Sequence, residues 1–471
     1  MRGHVASAVL FVLATSITPA AAQQELSHPR AMGLASANFA APDAASLRHE
    51  LPGGGIAYVV RDDLVPLVRF TALIGAGRAD GAGAGNHAAA LRAGPAAIAA
   101  GEFSRTLERM TAFYEVGQEE TETRVTLEVP SEDAAAGLEL FATLLRNAPA
   151  GRVSSAAAAN AFERTTGESG PVPYEGSLDA TLELFKANLF ANHPYSRSYA
   201  GDSSAGAVAF HERFVVPTNV VLAVSGDFED GAMREALTSA FVGWSGPAPL
   251  LPLHPLPVRS AERRLLAYRA DKLQGWVAIG HELPEVPVED EAALMVMNYV
   301  LGGGHFDTRL FRATRDRRGL TNDDSGFPEQ GFRGPGVYTF RTYGRPEVVR
   351  LLIQLTFQEI ERIRAEPVSE EELFVARGAL ADGDFSLWFR NGAATATTYA
   401  REWLRYRNHA RTASWQERVR VVTADDVLDA ARRYLHPQRM QVVVVGPIDA
   451  IQDAPALEGE PILDLVDSEH R

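Results

Sequence analysis

Two apolar runs open the patterned part of the chain. Ile56-Ala57-Tyr58-Val59-Val60 and Leu67 to Ile74 read as strands on either side of an Asp62-Asp63 turn. Downstream, Leu265-Leu266-Ala267-Tyr268 and Trp276-Val277-Ala278-Ile279 repeat the arrangement around Asp271-Lys272. Helical stretches follow in each case. The run from Pro287 to Leu301 has acids at its start and stops at Gly302-Gly303-Gly304, and Ser369-Glu370-Glu371-Glu372 is a capping box opening a helix through the 370s. Each series then closes on a continuous apolar run ended by glycine: Val220 to Ser225 before Gly226, and Gln441 to Val445 before Gly446. Pro217 and Pro437, which start the turns before these runs, are 220 residues apart, as are the two glycines. An internal duplication explains that spacing. Strands first, helices next and one strand returning predict an α+β class in two modules.

Between the modules, residues 244–259 form the clearest linker. Prolines at 247, 249, 252, 255 and 257 deny the segment a helix or a central strand. The expected organisation is an N-terminal module over 45–243, the linker over 244–259, a C-terminal module over 260–450 and a tail over 451–471. Residues 1–22 stand apart: Arg2 and His4 precede the apolar run Val5 to Ile17, and Ala20-Ala21-Ala22 offers an A-x-A cleavage site. This is the pattern of a cleaved secretory signal peptide, so the expected location is the periplasm, and no later run is long enough to span a membrane.

Composition then removes classes of chemistry. The 471 residues hold no cysteine, which excludes disulfides, thiolate metal sites and cysteine nucleophiles. A net charge of −15 argues against a nucleic-acid partner. Lys186 and Lys272 are the two lysines, leaving few candidates for Schiff-base or phosphate-loop chemistry. No G-x-S-x-G occurs, and Gly75-Ala76-Gly77 and Gly302-Gly303-Gly304 lack the context of a phosphate loop and read as turns. His305-Phe306-Asp307 is one potential ligand pair, too few for a metal site.

Gly75-Ala76-Gly77-Arg78-Ala79-Asp80, then Gly85-Asn86-His87-Ala88-Ala89-Ala90-Leu91, resembles the opening of the pitrilysin/insulinase peptidases, the inverzincins that include mitochondrial processing peptidase. In that family a G-S-R-x-[DE] turn leads into a helix bearing H-x-x-E-H, which binds zinc and supplies the base. Asn192-His193-Pro194-Tyr195, the run Val220 to Asp227, Leu301-Gly302-Gly303-Gly304, Arg309-Leu310-Phe311, Arg315 and Gly319-Leu320 resemble further family signatures in family order. The likeness spans about residues 45 to 450. It implies two homologous α/β sandwich modules forming a clamshell around a peptide chamber.

The catalytic motif is degenerate. With His87 as the first histidine, Ala90 replaces the glutamate and Leu91 the second histidine; the register starting at Ala88 gives Leu91 and Arg92 instead. Glu163 lies near the position of the family's third ligand, and one carboxylate does not make a zinc site. In the second half Arg315 matches the family's substrate-binding arginine, Asn322 stands where a tyrosine is expected, and Arg309 lies on the same wall. The resemblance implies a non-catalytic subunit of an exported zinc-dependent peptidase complex, inactive alone. It would carry no cofactor in this chain, bind peptide through Arg315, Asn322 and Arg309, and pair with a zinc-bearing homologous subunit. A stand-alone periplasmic peptide-binding or assembly scaffold is the other reading.

Overall fold

The two apolar runs that open each module do not pair with each other in the structure, a computed structural model; the closing strand is inserted between them. The structure describes residues 39–98, 101–148, 177–196, 204–257, 263–303, 306–455 and 469–470. The segment 1–22, Glu163 and His305 lie outside the described residues. In the first half the strands are β1 (Arg48–Glu50), β2 (Ile56–Arg61), β3 (Leu67–Ile74), β4 (Phe113–Gln118), β5 (Thr123–Pro130) and β6 (Val220–Gly226). Their order across the sheet is β1-β2-β6-β3-β5-β4, with β6 parallel to β2 and antiparallel to β3. The second half holds β7 (Arg264–Arg269), β8 (Gly275–Leu283), β9 (Asp324–Glu329), β10 (Gly336–Gly344), β11 (Gln441–Gly446) and the two-residue β12 (Glu469–His470). Its order is β12-β7-β11-β8-β10-β9, and β11 is again parallel to its first neighbour and antiparallel to its second. Central placement explains why β6 and β11 are apolar along their length: both faces are covered, so every residue of each is buried.

The longer helices described in the first half are α1 (Ala84–Ala93), α2 (Glu102–Arg109), α3 (Ala134–Arg146), α4 (Leu178–Leu189), α5 (Ser204–Phe214) and α6 (Asp230–Ala240). Those of the second are α7 (Val288–Gly302), α8 (Pro346–Ala365), α9 (Glu370–Gly378), α10 (Gly392–Tyr406), α11 (Ala410–Val421) and α12 (Ala424–Tyr434). Side chains alternate across the strands, and the two sets enter different cores. Val220, Leu222 and Val224 of β6 pack with Phe141 of α3 and Leu237 of α6, helices of their own half. Val221 and Ala223 instead meet Ala396, Tyr399, Ala400 and Leu404 of α10, from the other half. The second sheet mirrors this: Val442 and Val444 of β11 face their own helices, while Val443 and Val445 face Phe185 of α4.

Each module therefore lends one helix to cover the other's sheet. The exchange is secured by polar links at both ends. Tyr58 and His409 share a 2.6 Å hydrogen bond beside α10, and the Gln441 amide donates to the Phe185 carbonyl at 3.0 Å beside α4. The molecule is of the α+β class with two topologically equivalent modules, and the faces they turn to one another are filled by helices.

Candidate functional site

Strand β3 delivers the chain into the Gly75–Asp80 turn, and that turn is fixed from the second half. Asp80 is buried and accepts the Gly77 N–H at 2.8 Å. Both its oxygens take the Arg333 guanidinium, at 2.7 and 2.8 Å, and His254 of the linker lies 3.2 Å from one of them. Arg333 also donates to the carbonyls of Pro252, Gly75 and Thr121. Burial alone pushes the Asp80 carboxyl up, but the hydrogen bonds from Arg333 and His254 outweigh it and hold it below the usual carboxylate range. The acid of the family-like turn is thus a structural tie between turn, linker and the loop joining β9 to β10.

The helix that follows, α1, sits unusually close to α5. Gly83, its N-cap, has φ +90°, and a Cβ there would stand 2.3 Å from the backbone of Gly206. That approach sets His87 against His211. His87 is fully buried, with its Nε2 3.2 Å from Nδ1 of His211 and its ring 4.9 Å from that of Phe210. His211 Nε2 donates to the Leu145 carbonyl at 3.1 Å, so its Nδ1 is the acceptor and His87 donates through Nε2. His87 Nδ1 then keeps a buried lone pair with no partner. Burial pushes both rings down, His87 well below its usual value with help from His211, and His211 to about 4 against the pull of the Leu145 carbonyl. Both are neutral at ordinary pH.

Ala90 and Leu91, at the base and second-ligand positions, are each 1% exposed, and Leu91 belongs to the first-half core. Nothing at either position can bind a metal or move a proton. Among the described residues no group of three or more His, Asp or Glu side chains is placed to hold a metal ion. The residues present on α1 do not fit a catalytic zinc.

In the second half the three expected residues are not equivalent. Arg309 is buried and forks onto Glu372, its Nε and Nη2 donating to the two carboxylate oxygens at 2.8 and 2.9 Å. Glu372 also accepts the Ser369 N–H at 2.9 Å, closing the capping box of α9. Burial works against the charged form, yet the Arg309 hydrogen bonds bring this carboxyl down to about 2. Arg309 therefore braces α9 through Nε and Nη2, while its buried Nη1 has no hydrogen-bond partner among the described residues. Arg315 lies on a π-helical turn, Arg312–Asp316, with its guanidinium over the rings of Phe311 and Phe306 at 4.8 and 5.6 Å. Phe306 is 75% exposed, so this is an accessible cationic-aromatic surface. Asn322 is exposed in the loop leading to β9.

Several important residues carry no local signal. His211, Arg333 and His254 lie 124, 253 and 174 residues from the side chains they meet. His193 is of the same kind: its Nε2 bonds the Pro255 carbonyl at 2.6 Å, so the His-Pro-Tyr segment anchors the linker.

The fold and the emptied motif define a two-module, peptidase-like chain with no catalytic centre at the expected helix. Residues 207–380 match the family described as Peptidase M16 inactive domain. The chain is 27% identical over 280 residues to an uncharacterized zinc protease of Mycobacterium tuberculosis, Rv2782c. That match covers 57% of this chain and 63% of the relative, so it spans less than two thirds of the relative's length. Among solved structures, the peptidase M16 inactive domain from Pseudomonas fluorescens superposes with a TM-score of 0.71 at 19% identity, over 88% of this chain and 99% of that one. The periplasmic protease PqqL from Escherichia coli gives 0.65 at 13% identity, over 87% of this chain and 46% of its own. At such identities the structural matches speak for the fold. The match over residues 207–380 is to the family that the motifs of both halves resemble, and the structural matches give the same fold.

Proposed function

We propose that this chain is a non-catalytic, peptide-binding subunit of an exported zinc-dependent peptidase complex. One observation carries the reading: the positions of the base and second ligand are occupied by Ala90 and Leu91 and packed into the core, while His87 is spent on His211. A chain that keeps both modules and loses the chemistry is useful as a substrate wall for a chain that retains it. Two features favour peptide binding. Strand β4 is an edge strand among the described residues, with Phe113 52% exposed upon it, and a peptide can add to such an edge. The Arg315 surface offers a guanidinium to a carbonyl or carboxylate. The partner would be a homologous subunit bearing the zinc, with the peptide chamber between the two chains. Export to the periplasm rests on the segment 1–22 and agrees with the periplasmic location in PqqL's name.

The test is reconstitution with a zinc-bearing homologous chain from the same cell envelope. Arg315→Ala should lower peptide turnover by the complex about ten- to a hundredfold, the cost of one charged hydrogen bond, with the partner's zinc unchanged. Equal turnover with wild-type and variant chains would remove Arg315 from the function. Failure of any partner to bind would replace the subunit reading with the stand-alone scaffold.

A further inference from the structure

The linker between the modules is a triplet repeat. Pro249-Leu250-Leu251, Pro252-Leu253-His254 and Pro255-Leu256-Pro257 are successive Pro-Leu-x units. Proline holds φ at about −65°, and its ring drives the preceding residue to extended conformations. From Pro247 to Pro257 every residue except Leu250 and Leu253 is a proline or precedes one, and neither of those two takes a positive φ. Residues 244–257 accordingly form no helix, strand or turn. The backbone so favoured is a polyproline II helix with three residues per turn, in which each position of the triplet owns one edge.

Burial follows that period. The third positions turn to the body: His254 is buried, and Leu251 and Pro257 are half-buried, Leu251 against the first-half core. The leucines turn away, with Leu250, Leu253 and Leu256 86%, 82% and 41% exposed. Pro252 and Pro255 are exposed on the remaining edge. The backbone is tied down through its carbonyls: Arg213 donates to Leu250 at 3.3 Å, Arg333 to Pro252 at 2.9 Å and His193 to Pro255 at 2.6 Å. His254 is held twice, its N–H on the Arg333 carbonyl at 2.7 Å and its ring on Asp80. One edge fixes the segment, and two are left free.

A tether needs only the fixed edge. Single exposed leucines are common on surfaces, but three in register on a pinned rod, beside a row of prolines, make a continuous apolar ridge that adds little to the core. Residues 244–257 hold no Asp, Glu, Lys or Arg, so the ridge matches an apolar groove and not a charged one. A proline ridge of threefold period fits a groove lined by aromatic rings. Because the segment is already extended and anchored, little of it has to be ordered when a partner binds. We propose that residues 249–257 are a docking ligand for a partner protein bearing an aromatic-lined groove that reads polyproline II. Docking there is independent of peptide binding at β4 or Arg315.

The experiment is calorimetric titration of the full chain with purified SH3, WW and EVH1 domains, each also prepared with one groove ring replaced by alanine. At least one domain should bind one-to-one, and its groove variant should not. Leu250→Asp with Leu253→Asp should weaken that binding at least about tenfold. The melting temperature should not change, because both side chains are exposed. Pro252→Ala with Pro255→Ala, which keeps both anchored carbonyls, should weaken binding as well. Binding by none of the domains, equal binding by the groove variants, or unchanged binding by the leucine variant would overturn the assignment. So would a dimer of the full chain in gel filtration that the leucine variant dissolves, since the ridge would then be covered by a second copy.

Discussion

At the residue scale, the character of α1 reduces to what three of its side chains touch. His87 donates to a neutral His211 inside a dry pocket, and Ala90 and Leu91 fill the space beside it. Both histidines have depressed values in the folded chain, so below about pH 6.5 the unfolded chain binds more protons, for His211 down to about pH 4. The stability they contribute is complete above about pH 6.5 and is lost progressively as pH falls below it, the His211 share being gone by about 4. For His211 the shift corresponds to about 3 kcal/mol. Urea unfolding across that window should show this slope, and the His87→Leu/His211→Leu double variant should flatten it; an unchanged slope would remove the pair as its source. Arg309 and Arg315 separate in the same way. Arg309→Ala should cost about 3 kcal/mol, because it strands the Glu372 carboxylate against the start of α9. Arg315→Ala should leave the unfolding midpoint within about 0.5 kcal/mol of wild type. Equal destabilisation by both variants would contradict the assignment. The sequence presents these arginines as alike, since a fork onto an acid 63 residues away leaves no local trace.

At the element scale, what periodicity can state and what it cannot divide cleanly. Continuous apolarity in Val220 to Ser225 and Gln441 to Val445 is legible as full burial, and each run is the central strand of its sheet. The partners of those strands are not legible, because insertion of β6 between β2 and β3 joins residues 146 to 165 positions apart in the chain. Helix α10 shows the same limit. Its Ala396-Tyr399-Ala400-Leu404 stripe marks a buried face, but nothing local says that the face lies on the other module's sheet. Leu404→Ala should therefore cost about 2–4 kcal/mol and speed hydrogen exchange in β2 and β6 rather than in the second sheet. Exchange confined to the second sheet would contradict the placement. On α1, writing the motif back as Ala90→Glu with Leu91→His puts a carboxylate and an imidazole into a packed core. The expected result is loss of several kcal/mol of stability and no recovered zinc. A stable variant that takes up one zinc per chain would show the helix to be less committed to its core than these contacts require.

At the scale of the whole molecule, the mutual loan of α4 and α10 makes each module dependent on the other. The first module without α10 would expose Ile56, Tyr58, Leu73, Val221 and Ala223, and the second without α4 would expose Leu266, Tyr268, Val443 and Val445. The buried Asp80–Arg333 pair and the Tyr58–His409 bond would be broken as well. Residues 39–257 and 263–455, expressed separately, should be aggregated or molten and should form a folded complex only when produced together; two independently cooperative unfolding transitions would contradict this. The duplication itself was readable from the 220-residue repeat, whereas the exchange of helices was not, because a repeat reports what each module contains and not where it is lent. The pairing of a peptidase-like architecture with an α1 helix unfit for zinc is likewise a property of the whole chain. The most direct measurement is zinc per chain by elemental analysis of the purified full-length protein after exposure to excess zinc and gel filtration, with peptide hydrolysis assayed on the same fractions. The account predicts zinc far below one per chain and no chelator-sensitive cleavage. One tightly held zinc per chain with chelator-sensitive hydrolysis would contradict it.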